Sequence, residues 1–171
     1  MAGLAVLAFA GLSANACAAG DEGPSDLEIA HIAYTAGNID IRYAHLALAI
    51  SDNPEVRSFA NTMVSDHTAV NDAALALLKK LNAQPQDNAT SQTLSKQAAY
   101  KRDELAALRG AAFDRAYAEN ELAYHLFVNK TVEEAFIPAA DNAEFKALLG
   151  QALATFKVHE QHAENMVEAL Q

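Results

Sequence analysis

The chain has 171 residues, 51% of them apolar, with 7 Gly, 4 Pro, 1 Cys, no Trp and a formal net charge of −10. That length suits one domain with an ample core, and an apolar set made mostly of Ala and Leu favours helices, so an all-α fold is expected. The acid excess has the wrong sign for nonspecific phosphate binding, which argues against DNA or RNA as a partner, and is otherwise a solubility feature.

Residues 1–19 run MAGLAVLAFAGLSANACAA, apolar and small, and then give way to Gly20-Asp21-Glu22-Gly23-Pro24. The run is too short to span a bilayer, and Ala14-Asn15-Ala16 matches a small-x-small cleavage site. A secretory signal peptide over 1–19 is therefore expected, although the usual basic start is missing, with one domain over 20–171 that carries no transmembrane segment and is periplasmic or secreted. Cys17, the lone cysteine, is either discarded on cleavage or becomes a lipid-modified first residue; it cannot staple the domain with a disulfide.

Pro24, Asp52-Asn53-Pro54, Gln84-Pro85, Gly110 and Pro138 punctuate the rest at helical intervals. They predict five helices, near 25–51, 53–82, 90–108, 111–137 and 141–170, with Asp141 and Glu144 as a capping box for the last. Four carry an apolar stripe at the helical period. The first has Ile29, Ile32, Ile39 and Tyr43; the second Phe59, Met63, Val70 and Leu77; the fourth Phe113, Tyr117, Tyr124 and Val128; the last Leu149, Phe156, Met166 and Leu170. These four are long enough to form a bundle. The segment Thr90 to Leu108, shorter and richer in Gln, Lys and Ser, suits a connecting helix across one end or edge.

The stripes also carry polar residues. His67 lies between Met63 and Ala74, His159 continues the line of Ala152 and Phe156, and His125 stands one turn after Glu121 on the face of Tyr117 and Tyr124. Asp40 lies beside Ile39 and Tyr43 at the edge of its stripe. A metal ion needs this mixture: neutral imidazoles as ligands, a carboxylate to offset charge, and outer groups such as Asp66 or Asn71 to fix the tautomers. Asp40, His67, Glu121, His125 and His159 are thus the candidate metal ligands, and Zn²⁺ is the expected ion among divalent transition metals. A single histidine on a stripe is more often a hydrogen-bonded core residue. Three that converge form either a ligand set or a connected hydrogen-bond network, because burying them uncompensated costs several kcal/mol. In both cases their folded pKa values should lie below the ordinary value. His31, nearly opposite Asp40, and His45 are expected in solvent; His162, three residues after His159, could swing to the same site, but Glu160 and Gln161 beside it look solvated. No nucleophile, phosphate loop or methionine cluster accompanies the set.

Asn53-Pro54-Glu55-Val56-Arg57-Ser58-Phe59-Ala60, Met63-Val64-Ser65-Asp66-His67-Thr68, Phe113-Asp114-Arg115-Ala116-Tyr117, His125 and His159 together resemble a bacterial exported family of uncharacterised function. Its members carry the domain of unknown function 4142 and are often named as outer-membrane proteins. The resemblance implies a ferritin-like four-helix core with a short extra helix, an envelope address, and His67, His125 and His159 as core histidines; it implies no activity. Asp40 stands where such proteins tend to have Glu, and Glu121 where they tend to have an apolar residue. Di-iron carboxylate bundles need Glu-x-x-His on two helices, and Glu121 to His125 is a longer step, so ferroxidase or oxygenase chemistry is disfavoured. Two readings stand: a mononuclear His/carboxylate metal site in an exported bundle, or a non-enzymatic envelope stress or interaction module whose histidines form a structural network. No protein partner can be named from either.

Overall fold

A computed structural model describes residues 23–171, and the expected signal peptide and Cys17 lie outside them. The described residues are helical and include no strand. Each long helix begins where a side chain takes up the free N–H groups of its first turn. For α1 (Asp26–Ile50) this is Ser25, which forms a capping box with Glu28. For α2 (Pro54–Lys80), Asn53 accepts from the N–H groups of Glu55 and Val56, with Pro54 as first residue. The helix ends ahead of Gln84-Pro85, at Asn82, whose φ of 51° lets its N–H reach the Lys79 carbonyl and the Ala83 N–H that of Leu78.

The connecting helix is α3 (Ala89–Ala106), capped by Asn88, and α4 (Gly110–Thr131) opens on Gly110 at φ 56°, a conformation that glycine adopts without strain. Pro138 does not terminate the helical path. The chain widens into a π-helical segment, Val132–Phe136, and continues through the short α5 (Ile137–Ala139). Pro138 sits in the first turn of α5, where its missing N–H is not needed, and the widened turn before it gives room for its ring. The last helix is α6 (Ala143–Ala169). Its cap is Asn142 and not Asp141: the Asn142 side chain accepts from Glu144 and Phe145, and the N–H groups of Asp141 and Asn142 donate to Asp26 at 2.9 and 2.8 Å. The carboxylate at the start of α1 thereby holds the start of α6.

The long helices pack in a closed circuit, α1 on α2, α2 on α6, α6 on α4 and α4 on α1, while α3 lies outside against α1. Ile29, Ile39, Tyr43, Phe59, Met63, Phe113, Tyr117 and Met166 fill the centre and are buried. Burial of such a side chain stabilises by about 1.5–3 kcal/mol, far more than helix propensity supplies per residue. The α1–α2 corner is tied by polar groups: Ser51 donates to Asp114 of α4 and accepts from the Asn53 N–H, and Arg57 donates to the Leu48 and Ser51 carbonyls. Among the described residues no helix is long and apolar enough to cross a membrane.

Candidate metal centre

Four helices deliver the five candidate ligands to one place. Asp40 comes from α1, His67 from α2, Glu121 and His125 from α4 and His159 from α6. All five are buried, each 3% exposed or less, so whatever satisfies their polar atoms must come from inside the protein. Asp40 is not at the edge of its stripe; it is enclosed, because the neighbouring Gly37 lets α2 approach closely. A Cβ at Gly37 would stand 2.6 Å from the Asn71 Oδ1. Asn71 belongs to this helix contact rather than to the ligand shell.

The imidazole rings form a triangle, with centroids 5.8 Å apart for His67 and His125, 5.4 Å for His67 and His159, and 5.5 Å for His125 and His159. One nitrogen from each ring lies within 4.8 Å of the other two. The outer partners decide which. His125 Nδ1 is 2.9 Å from the Glu121 carbonyl, an acceptor, so Nδ1 carries the hydrogen and Nε2 keeps its lone pair. His159 Nε2 is 2.9 Å from Asp66 Oδ2, so there Nδ1 keeps the lone pair. Both inward nitrogens, the two of His67 and both oxygens of Asp40 have no hydrogen-bond partner in the structure. His67 stacks on Phe156 at a centroid distance of 4.6 Å, which fixes its plane.

Asp40 Oδ2 lies 3.3 Å from His67 Nε2 and 3.5 Å from His125 Nε2. An N–H···O bond is about 2.9 Å, whereas ligand atoms held tetrahedrally at about 2.0 Å from one ion stand roughly 3.3 Å apart. These two contacts are longer than a hydrogen bond and have the spacing that two ligands of one ion would have. Glu121 occupies a different position: its Oε2 is 3.9 Å from His125 Nδ1, the nitrogen turned away from the triangle. Asp40, Glu121 and His125 form a second close group, within 4.8 Å.

The electrostatics agree with burial as the dominant cause. Desolvation holds His67 well below its ordinary pKa, helped by the neighbouring imidazoles, and brings His125 down to about 4. His159 is also lowered by burial, against the opposing pull of Asp66. Burial raises both Asp40 and Glu121, and the Asp40 charge raises Glu121 further, so the pair tends to retain a proton. Neutral imidazoles beside a carboxylate with unpartnered oxygens are what a divalent cation requires.

The other histidines differ in part from expectation. His45 is exposed, but His31 is half-buried, its Nδ1 2.9 Å from Ser91 Oγ at the start of α3. His162 is half-buried against Phe59 at 5.1 Å and does not join the cluster. Asp66, expected as an outer group, is the fixed acceptor of His159, and the residue missed by pattern alone is Gly37, whose role only the approach of the neighbouring helix reveals.

A family model described as Domain of unknown function (DUF4142) matches residues 11–166. The chain belongs to this family. Within it, the asparagine-proline start of α2 is a helix cap, Asp114 is the acceptor that ties the α1–α2 corner, and His67, His125 and His159 are neighbours in space. No curated protein and no solved structure matches the chain significantly.

Proposed function

We propose that this is an exported protein with a ferritin-like four-helix core that binds one divalent transition metal, Zn²⁺ before others, through His67 Nε2, His125 Nε2, His159 Nδ1 and Asp40. The observation that carries the reading is the set of unpartnered buried lone pairs, three imidazoles with one nitrogen each within 4.8 Å of the others and Asp40 Oδ2 at 3.3 and 3.5 Å from nitrogens of two of them. Glu121 stands beside Asp40 and His125 outside the three-histidine group, and its charge and that of Asp40 disfavour each other's ionisation. Three histidines completed by one carboxylate would close a tetrahedral shell, the pattern of a structural site or a metal carrier rather than a catalytic centre with an open position. Export rests on the apolar N-terminal run, with cleavage near Cys17 or lipid attachment to it; the mass of the mature N-terminus distinguishes the two.

The alternative, a structural network in an envelope stress or interaction module, is supported by the His159–Asp66 and His125–Glu121 hydrogen bonds. It leaves both His67 nitrogens and both Asp40 oxygens unsatisfied, at about 1–3 kcal/mol for each buried group. Calorimetric titration of chelator-treated protein with Zn²⁺, Mn²⁺, Fe²⁺ and Cu²⁺ tests the proposal. One site per chain is expected for Zn²⁺; absence of binding by all four ions refutes it.

A further inference from the structure

A cavity of about 430 Å³ lies between α1, α2, α4, α6 and the π-helical segment, with Asp40, His67 and His125 of the cluster in its wall. Typical small-molecule sites measure about 300–1,000 Å³, and an engineered apolar cavity of about 150 Å³ already holds benzene. Ala33, Val70, Ala74, Phe136, Leu149 and Ala152 are representative of its wall, and no lysine or arginine is among the residues that line it. A native core is close-packed, and a partly open apolar cavity of this size is far larger than the gaps such packing leaves. The π-helical segment contributes Val132, Ala135 and Phe136 to the wall, so the irregular turn of the fold and its large void coincide.

Besides Asp40, His67 and His125, which the wall shares with the cluster, one further buried polar side chain of the wall has no partner. The Asn71 side chain is 7% exposed and, among the described residues, its amide makes no hydrogen bond. It rests on Gly37, which also lines the cavity and which leaves room for the amide there. Tyr124 and Thr131, also in the wall, already donate to the Ala36 and Phe127 carbonyls. An anion would enter without a cationic partner and beside the buried Asp40, and a cation would lose its hydration in an apolar wall; either costs far more than an amide can return.

We infer that the cavity is a binding site for an uncharged, predominantly apolar small molecule with a single hydrogen-bonding group, an alcohol or ketone of about ten carbons, anchored by the Asn71 amide. The inference does not rest on the metal. It is tested on full-length, chelator-treated protein with the neutral fluorophore N-phenyl-1-naphthylamine, displaced by 1-decanol or by decanoate at alkaline pH. The fluorophore is expected to bind, 1-decanol to displace it, and decanoate to do so at least tenfold more weakly. Ala33→Phe and Ala74→Phe, which place a ring in the void, should each weaken fluorophore binding more than tenfold, with circular dichroism melts recording that they fold. Asn71→Leu should weaken 1-decanol about fivefold, the worth of one hydrogen bond. No binding by the wild type, equal displacement by decanoate, or undiminished binding in a folded filling variant overturns the site; an unchanged 1-decanol affinity in Asn71→Leu overturns its anchor.

Discussion

His125 and His159 each hold one ring nitrogen against a fixed acceptor, and that choice turns the other nitrogen inward as a lone pair. His67 has no such partner, so its value to the metal-free protein is low. Replacing it with Phe keeps the stack on Phe156 and removes two unsatisfied nitrogens. In chelator, His67→Phe should leave stability unchanged or raise it by about 1–2 kcal/mol in urea denaturation, while the gain produced by Zn²⁺ disappears; a closed network instead loses about 1–3 kcal/mol. Asp66 acts on the ion only through His159. Asp66→Ala should lower Zn²⁺ affinity by about ten- to a hundredfold while keeping one site per chain, as measured by calorimetry. The histidines were readable from the helical period, since a polar residue in line with Met63 or Phe156 has to face the core. Asp40 was misplaced because a uniform rotation per residue ignores how closely the next helix comes.

Helix starts were legible because side-chain caps are local: Asn53-Pro54 and Gly110 act within one turn of themselves. The start of α6 was misassigned by one residue because its geometry depends on Asp26, far away in sequence. Asp26→Ala should cost about 1–2 kcal/mol of stability by losing two charge-assisted bonds, checked by chemical denaturation. Where α1 meets α2, Gly37→Ala gains helix propensity of about 1 kcal/mol but forces the buried Asn71 amide to move. The expected net effect is a loss of about 1 kcal/mol that the Asn71→Ala background abolishes, a coupling that a double-mutant cycle measures. The π-helical segment and the cavity had no signature in composition or period. Five residues are too few for the shift of phase to be read from the stripe, and a void is a property of how helices meet.

Across the whole molecule the buried cluster couples folding to pH in two opposing ways. His67, His125 and His159 have folded pKa values below the ordinary one, so their contribution is present above about 6.5 and is lost as pH falls toward the folded values, about 4 for His125. Asp40 and Glu121 have raised folded values, so their contribution is present below the ordinary carboxylate range and is lost as pH rises through those values. A bound divalent ion offsets the buried carboxylate charge and competes with protons for the imidazoles. Zn²⁺ should therefore remove the alkaline loss and move the acid midpoint downward by mass action. Acid unfolding followed by circular dichroism, in chelator and in Zn²⁺, tests the metal centre most directly. The wild-type midpoint should fall to lower pH with Zn²⁺ while that of His67→Phe stays in place, and superimposable wild-type curves would contradict the account.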